Sequence, residues 1–193
     1  MGEVTDGKTR CAWGAASPAM AAYHDSEWGV PLHDDAALFE LLTLEGAQAG
    51  LSWRTVLERR AAYREAYHGF DIERVARMDD TELELVLSGS GVIRNRLKVF
   101  SVRDNARAVL AVRAEAGSFD AFLWGFVDGR PIVNRWTRTD QVPARTELSD
   151  RMSRTLRKRG FRFVGSTICY AFMQASGMVN DHLTTCWCRR VLS

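Results

Sequence analysis

Two pairs of side chains at opposite ends of the chain have the chemistry of a metal site. Cys11 and His24 lie near the start, His182 and Cys186 near the end. Two thiolates and two imidazoles are a donor set that structural zinc takes in a tetrahedron. The His182-x-x-x-Cys186 spacing places both side chains on one helical face. Such a set would staple an N-terminal segment to the last helix. Cys188 is a rival ligand. The same residues also read as a core thiol, a surface histidine and an unrelated terminal cysteine pair. Cys169, within an apolar run, reads as a buried thiol.

A second feature is Glu45. It falls seven residues after Leu38, four after Leu41 and three after Leu42, so it shares their helical face. A carboxylate on an apolar face is costly unless it is paired or hydrogen-bonded. It is either half of a structural ion pair, rotated into solvent, or a ligand-binding acid in a pocket. Trp13, Tyr23, Trp28 and Trp53 are close in sequence. Their flat faces suit a planar ligand, and equally an ordinary core.

The third feature spans Leu156 to Met173. Two short helices flank Arg-Gly-Phe-Arg-Phe-Val-Gly, a link with a glycine near each end. This is either a plain helix–helix connection or a helix-hairpin-helix whose amides, around Gly165, face an anion. Arg154, Arg157, Lys158, Arg159 and Arg162 precede or lie within it. As a cluster they read as a solvated helix end or as a phosphate-binding edge.

The elements that must position these residues are helical nearly throughout. Asp34 is placed to cap a helix through Leu38, Leu41 and Leu42. Ser52 caps another running to Gly69, and Asp79 with Glu82 has capping-box spacing. Gly89-Ser90-Gly91 breaks the chain before a long helix, about 94–116, closed by Gly117. Ser118 opens another helix, and Asp128-Gly129-Arg130-Pro131 reads as a turn. Ser149 opens a helix ending at Gly160, and the last helix runs from about 166 to 176. The best strand signal is short, 131–133. Residues 130–147 read as a surface loop. The first 30 residues carry little periodicity and need some external tether. The predicted fold class is all-α. The expected organisation is a single unit, 1–193, with a helical core at about 34–130 and 148–178. Tethered termini cover about 10–30 and 179–188.

Composition narrows the function classes. The 193 residues are 46% hydrophobic and 26% charged, and 26 Lys and Arg oppose 24 Asp and Glu. These are the proportions of an ordinary globular protein, so wholesale disorder is excluded. No apolar run reaches the roughly 18 residues of a membrane span. The Ala-rich stretch from Cys11 to Tyr23 lacks the flanks and core of a signal peptide. A cytoplasmic monomer is expected, with four cysteines that serve as thiols or ligands rather than disulfides.

Several long runs carry a resemblance. They are Arg10–Trp13, Ala22–Pro31, Leu44–Trp53, Lys158–Gly165, Thr167–Ala175 and Val179–His182. In this order they resemble the DNA-3-methyladenine glycosylase I (Tag) family over about Arg10 to Cys188. The resemblance implies a helix-hairpin-helix glycosylase fold with one structural zinc on Cys11, His24, His182 and Cys186, joining the N- and C-terminal segments. It implies a base pocket on Glu45, Tyr23 and Trp53, with Trp13 and Trp28 in its wall, and a DNA-probing turn at Gly50-Leu51. Two departures stand out: Ala12 replaces a common glycine, and the ending Cys186-Trp187-Cys188-Arg189-Arg190 differs from the commoner cysteine-rich one.

The implied activity is flipping out 3-methyladenine from alkylated double-stranded DNA and hydrolysing its bond to the sugar, the opening step of base excision repair. Methylation at N3 makes the adenine a cation and a good leaving group. No nucleophile is assigned; Asp181 lies where related glycosylases carry a catalytic Asp, but beside a zinc ligand, and this family is thought to lack that residue. The DNA edge is assigned to Gly50, Leu51, Arg157, Lys158, Arg159, Arg162 and Gly165. Two other classes compete: a non-catalytic zinc-stapled helical DNA-binding module, and a zinc hydrolase of a small nucleoside. Catalytic zinc usually keeps a water position, which a four-ligand set closes.

Overall fold

The computed structural model describes residues 6–89 and 91–189. Ser90 of the predicted break and the ending from Arg190 lie outside the described residues. The helices are α1 (Pro18–Ser26), α2 (Asp35–Gln48), α3 (Trp53–Leu57), α4 (Arg60–Ala66), α5 (Ile72–Ala76), α6 (Asp80–Ser88), α7 (Arg96–Ala116), α8 (Phe119–Trp124), α9 (Glu147–Lys158) and α10 (Ser166–Ala175). Two short strands, β1 (Ile132–Val133) and β2 (Val179–Asn180), pair in parallel.

Helix starts follow local chemistry. Asp34 accepts from the Ala37 amide at 2.8 Å, and Ser52 from that of Thr55 at 3.2 Å. Asp79 and Glu82 close a capping box, and Ser118 caps α8. Gly117 ends α7 at a φ of 85°, as its position predicts.

Four expectations need correction. The predicted helix from Ser52 to Gly69 is two helices, broken at Glu58-Arg59; the break turns Arg60 and Arg64 together onto Glu40. Helix α9 is capped by Thr146, and Ser149 is its third residue, its Oγ accepting a hydrogen bond from the Thr146 amide. The first 30 residues contain α1, capped by Ser17 with Pro18 at its first position, although its small residues give no stripe. Finally, His182 to Cys186 is not helical: the chain leaves β2 extended and turns at Thr184-Thr185.

Helix α2 runs through the centre, with every residue from Leu38 to Ala47 buried. It contacts α3, α7, α8 and α10, so it has no solvent face over that stretch. Val99, Val102, Ala106 and Val109 of α7, and Cys169, Phe172 and Met173 of α10, belong to the same core. A smaller apolar cluster gathers Cys11, Cys186 and Cys188 with Trp13, Leu183 and Trp187. The two chain ends meet there, and the β1–β2 pair helps fix the returning segment, with the Thr184 amide on the Trp136 carbonyl and the Trp187 amide on the Thr9 carbonyl.

Candidate active site

The cysteines and histidines at the two ends converge. The ligand atoms of Cys11, His24, His182 and Cys186 all lie within 4.8 Å of one another, and all four residues are buried. Cys186 Sγ is 3.5 Å from His24 Nε2 and 3.4 Å from His182 Nδ1, and Cys11 Sγ is 3.9 Å from that same Nδ1. Zinc at the usual metal–ligand distances spaces sulfur and nitrogen about 3.6 Å apart in a tetrahedron. The outer ring nitrogens also have partners: His24 Nδ1 is 2.9 Å from an Asp25 oxygen, and His182 Nε2 is 3.0 Å from the Trp28 carbonyl. Those bonds fix each ring with its other nitrogen turned inward. Donor chemistry, spacing and ring orientation all fit a tetrahedral ion.

Cys188 sits on the other side of His24. Its sulfur is 3.7 Å from Nδ1 and 3.8 Å from Asp25 Oδ1, the side facing away from the cluster. Arg10 grips Asp25 with two bonds of 2.8 and 2.6 Å, backing the histidine from behind.

Next to this cluster is a pocket of about 350 Å³. Tyr23 and Trp28 come from α1 and its end, Glu45 from α2, and Trp53 from the first turn of α3. Trp13 and Cys11 line it from the metal-cluster side, so the two sites share a wall. Tyr23 and Trp53 have ring centroids 5.1 Å apart, and Trp13 and Trp28 meet edge to face at 5.0 Å.

Glu45 is 3% exposed, and its Oε2 has no hydrogen-bond partner. Burial alone pushes its carboxyl up to about 8. Helix α2 supplies its own control. Glu40, 6% exposed, is held by Arg60 at 2.5 Å and Arg64 at 2.9 Å. The structural ion pair that one reading offers for Glu45 thus exists five residues earlier, while no cation among the described residues pairs with Glu45. Two further orphans belong to residues that line the same space: the Tyr23 hydroxyl and Trp53 Nε1 are buried without partners. Burial, then the neighbouring Glu45, drives the Tyr23 hydroxyl well above its ordinary pKa, so it stays a donor.

Some lining residues escaped the sequence reading. Gln48, one helical turn after Glu45, was legible from its spacing. Thr139 and Val142 come from the segment expected to be a surface loop, and Gln174 from α10; nothing in their pattern marks them. Asp181 also lines the pocket, but its carboxylate is fully engaged. Oδ1 accepts from Asn134 at 2.7 Å and Trp136 at 2.8 Å, Oδ2 from Tyr170 at 2.6 Å and Gln174 at 2.8 Å. Four donors make it a structural anchor.

The expected DNA edge is exposed. Gly50 has a φ of 79° in a turn closed by the Leu51 amide on the Gln48 carbonyl, and Leu51 beyond it is 41% exposed. Only glycine takes that φ without strain. Across the surface, α9 and α10 are joined by residues 159–165, and Gly165 is the N-cap of α10 with no side-chain capping hydrogen bond, the Arg157 guanidinium standing beside it. Arg157, Lys158, Arg159 and Arg162 are all exposed. Arg159 pairs with Glu115 at 2.6 Å and Arg162 with Asp104 at 3.2 Å, whereas Arg157 and Lys158 have no acidic partner among the described residues.

A family profile for methyladenine glycosylases matches residues 13–190. DNA-3-methyladenine glycosylase 1 of Escherichia coli is 48% identical over 179 residues, 93% of this chain and 96% of that protein. A crystal structure of 3-methyladenine DNA glycosylase I is similar with a TM-score of 0.91 at 49% identity, covering 93% of this chain and 99% of that one. The Staphylococcus aureus 3-methyladenine DNA glycosylase I, solved to explain its recognition of 3-methyladenine, also gives a TM-score of 0.91, at 33% identity over 93% of this chain and 96% of its own. Matched over nearly its whole length in sequence and in fold, the chain belongs to the methyladenine glycosylase family.

Proposed function

We propose that this protein is a monofunctional DNA glycosylase that excises 3-methyladenine from alkylated duplex DNA, acting as one helix-hairpin-helix unit. The observation that carries the reading is the set of orphaned polar atoms, Glu45 Oε2, Tyr23 OH and Trp53 Nε1, around one aromatic pocket. Buried polar groups without partners are costly, and a flipped purine would satisfy them. A non-catalytic DNA-binding module would leave Glu45 with no purpose.

Leu51 and its turn probe the stack, and the cations at Arg157, Lys158, Arg159 and Arg162, with the α10 amides beyond Gly165, hold phosphate. The flipped base enters the pocket beside Tyr23 and Trp53, with Trp13 and Trp28 in its wall. An N3-methylated adenine in DNA is positively charged. Near neutral pH the empty pocket holds Glu45 largely protonated; on entry of the cation its proton leaves to solvent and the carboxylate accepts from the adenine edge. Trp53 adds attraction for a cation over its face. As the bond to the sugar breaks, its electron pair moves onto the base and the base loses its charge. Glu45 therefore attracts the bound cation more than the transition state, which makes it a recognition residue that sets affinity rather than bond-breaking rate. Water completes the hydrolysis at the sugar carbon.

Cys11, His24, His182 and Cys186 would hold one zinc ion. Four protein donors leave no position for water, so what the ion supplies when bound is rigidity of the segment that carries Trp13, Tyr23 and Trp28. None of the four cysteines is in a disulfide, which suits a reducing cytoplasm. The test is release of free 3-methyladenine from methylated duplex DNA, with and without prior chelation. Absence of release by the metal-loaded protein would reject the proposal.

A further inference from the structure

Helix α2 unwinds immediately before the exposed Gly50-Leu51 turn, and the unwinding leaves carbonyls without helical donors. The Leu51 amide bonds to the Gln48 carbonyl at 2.6 Å, so it does not reach the Ala47 carbonyl that a continuing helix would give it. Lys98, in the first turn of α7, fills the gap. Its Nζ donates to the Ala47 carbonyl at 2.9 Å and to the Ala49 carbonyl at 2.7 Å. A cation at this place also opposes the negative end of the α2 dipole.

Seven residues along α7, on the same face, the buried Asn105 does the equivalent for the hairpin. Its Nδ2 donates to the Arg162 carbonyl at 3.1 Å, and its Oδ1 accepts from the Arg162 amide at 2.8 Å. The last turn of α2, just before the clamped carbonyls, also meets the hairpin. A Cβ on Gly46 would lie 3.1 Å from Phe163 Cβ, and Phe163 holds a φ of 55°, a conformation that a phenylalanine rarely takes. One side of one long helix thus fixes the backbone of both exposed segments, and the end of α2 that leads into the turn packs so closely on the hairpin that a side chain at Gly46 would have to push Phe163 aside.

We propose that Lys98 is a positioning residue for base excision: it holds the turn that carries Leu51 at a set offset from the hairpin, which Asn105 anchors farther along the same helix. The role rests on the reading of Gly50-Leu51 as the segment that probes DNA. Lys98 acts through the turn, with its cation engaged by protein carbonyls rather than by phosphate.

The test compares Lys98→Met, Lys98→Arg, Leu51→Ala and the Lys98→Met/Leu51→Ala double variant, each with full metal content. Lys98→Met should lower kcat/KM on methylated duplex DNA by roughly tenfold or more, the scale on which small misplacements act. Its affinity for free 3-methyladenine and the salt dependence of its duplex binding should match the parent protein. Lys98→Arg, still able to donate to both carbonyls, should recover most of the loss. The double variant should be no worse than Leu51→Ala, because the lysine works through that turn. Free-base binding counts intact pockets and separates a displaced turn from general unfolding; Lys98→Gln, which keeps a donor, serves if the methionine variant does not fold. Full duplex activity in the Lys98 variants beside a defect in Leu51→Ala would overturn the positioning role alone. A salt slope reduced by about one unit would make Lys98 a phosphate contact instead. Full duplex activity in Leu51→Ala would remove the probing reading and the proposal with it.

Discussion

The Cys/His cluster and the aromatic pocket are neighbours that share a wall, yet their polar atoms are treated oppositely. In the cluster each inward sulfur or nitrogen meets another ligand, and each outer histidine nitrogen has an acceptor. In the pocket a carboxylate oxygen, a phenol and an indole N–H are buried with nothing to bond. Both arrangements put polar chemistry in the interior, where it is expensive unless satisfied. A set that closes on itself, given an ion, reads as scaffold. A set left open reads as a place for something that arrives and leaves. Glu40 and Glu45 repeat the lesson on one helix: two buried carboxylates five residues apart, one closed by Arg60 and Arg64, one open.

The largest effect that can break this comparison comes from opening the closed set. Cys11→Ala or His182→Ala should lose stoichiometric metal and lower the thermal midpoint by roughly 10 °C or more, as loss of about 3–5 kcal/mol does for a chain of this size. Cys188→Ala should keep the metal, because its sulfur lies on the outer side of His24. Metal content with a melting curve checks all three. Full zinc in a Cys11→Ala/His182→Ala double variant would show that the cluster is not the ligand set.

How much of this was legible depends on whether a residue's role is local. Asp34, Asp79 with Glu82, Gly117 and Ser118 act on amides or backbone angles within a few positions, so type and spacing suffice. Helix α1 is not legible because Pro-Ala-Met-Ala-Ala has no stripe; its buried Tyr23 meets Trp53, and its buried His24 meets Cys186 from the far end of the chain. The face shared by His182 and Cys186 came out differently for a related reason. A spacing of four is compatible with a helix, but here an extended strand exit and a turn bring the pair together. Its spacing puts Glu45 on an apolar face and leaves open whether it is buried or turned to solvent; it is buried, since α2 has no other kind of face over that stretch. What no spacing carries is the identity of partners. Glu40 found two arginines and Glu45 none, and that difference, fixed by the break between α3 and α4, is the feature with functional meaning.

The next effect sharpens the open side of the comparison. Glu45→Gln keeps shape but removes the charge, so it should weaken binding of a cationic purine about 10- to 100-fold while leaving the fold intact. Its stability change should have the opposite sign to that of breaking an ion pair. The Glu45 carboxyl is raised from 4.5 to about 8. Between those values the folded chain holds a proton that the unfolded chain has released, so Glu45 costs stability progressively as pH rises, and the full cost is present above pH 8. The glutamine variant should therefore be more stable than the parent at pH 9, by roughly 2–4 kcal/mol, and nearly equal below pH 5. Melting curves at the two pH values measure it. Destabilisation at both would place Glu45 in a structural pair.

The same group should shape affinity. A ligand with a charge that cannot titrate, such as 3,9-dimethyladeninium, meets a carboxylate in only part of the molecules until the pH passes about 8. Its affinity should rise with pH from 5 to 8, approaching tenfold per unit at the steep end, and level off above. A flat profile would mean that the proton stays on Glu45 when the cation binds. The glutamine variant should itself be flat, which separates this carboxyl from other titrating groups.

The smallest effect carries the partner argument to the surface. Arg157 and Lys158 are exposed with no acidic partner among the described residues, while Arg159 and Arg162 are matched to Glu115 and Asp104. If unpartnered side chains are the ones kept for a ligand, the first two should contact phosphate directly and the second two should do so less. Each phosphate contact adds about 0.9 to the slope of log affinity against log salt. Arg157→Gln with Lys158→Gln should lower that slope by close to two units and weaken binding to all duplex sequences alike. Arg159→Gln with Arg162→Gln should lower it by less, because exposed ion pairs exchange partners at little cost and each arginine must first leave its acid. The contrast is modest, since exposed acids compete only weakly with a polyanion. Equal slopes for the two double variants would show that partner accounting, decisive in the interior, loses its discrimination where water can stand in for any missing partner.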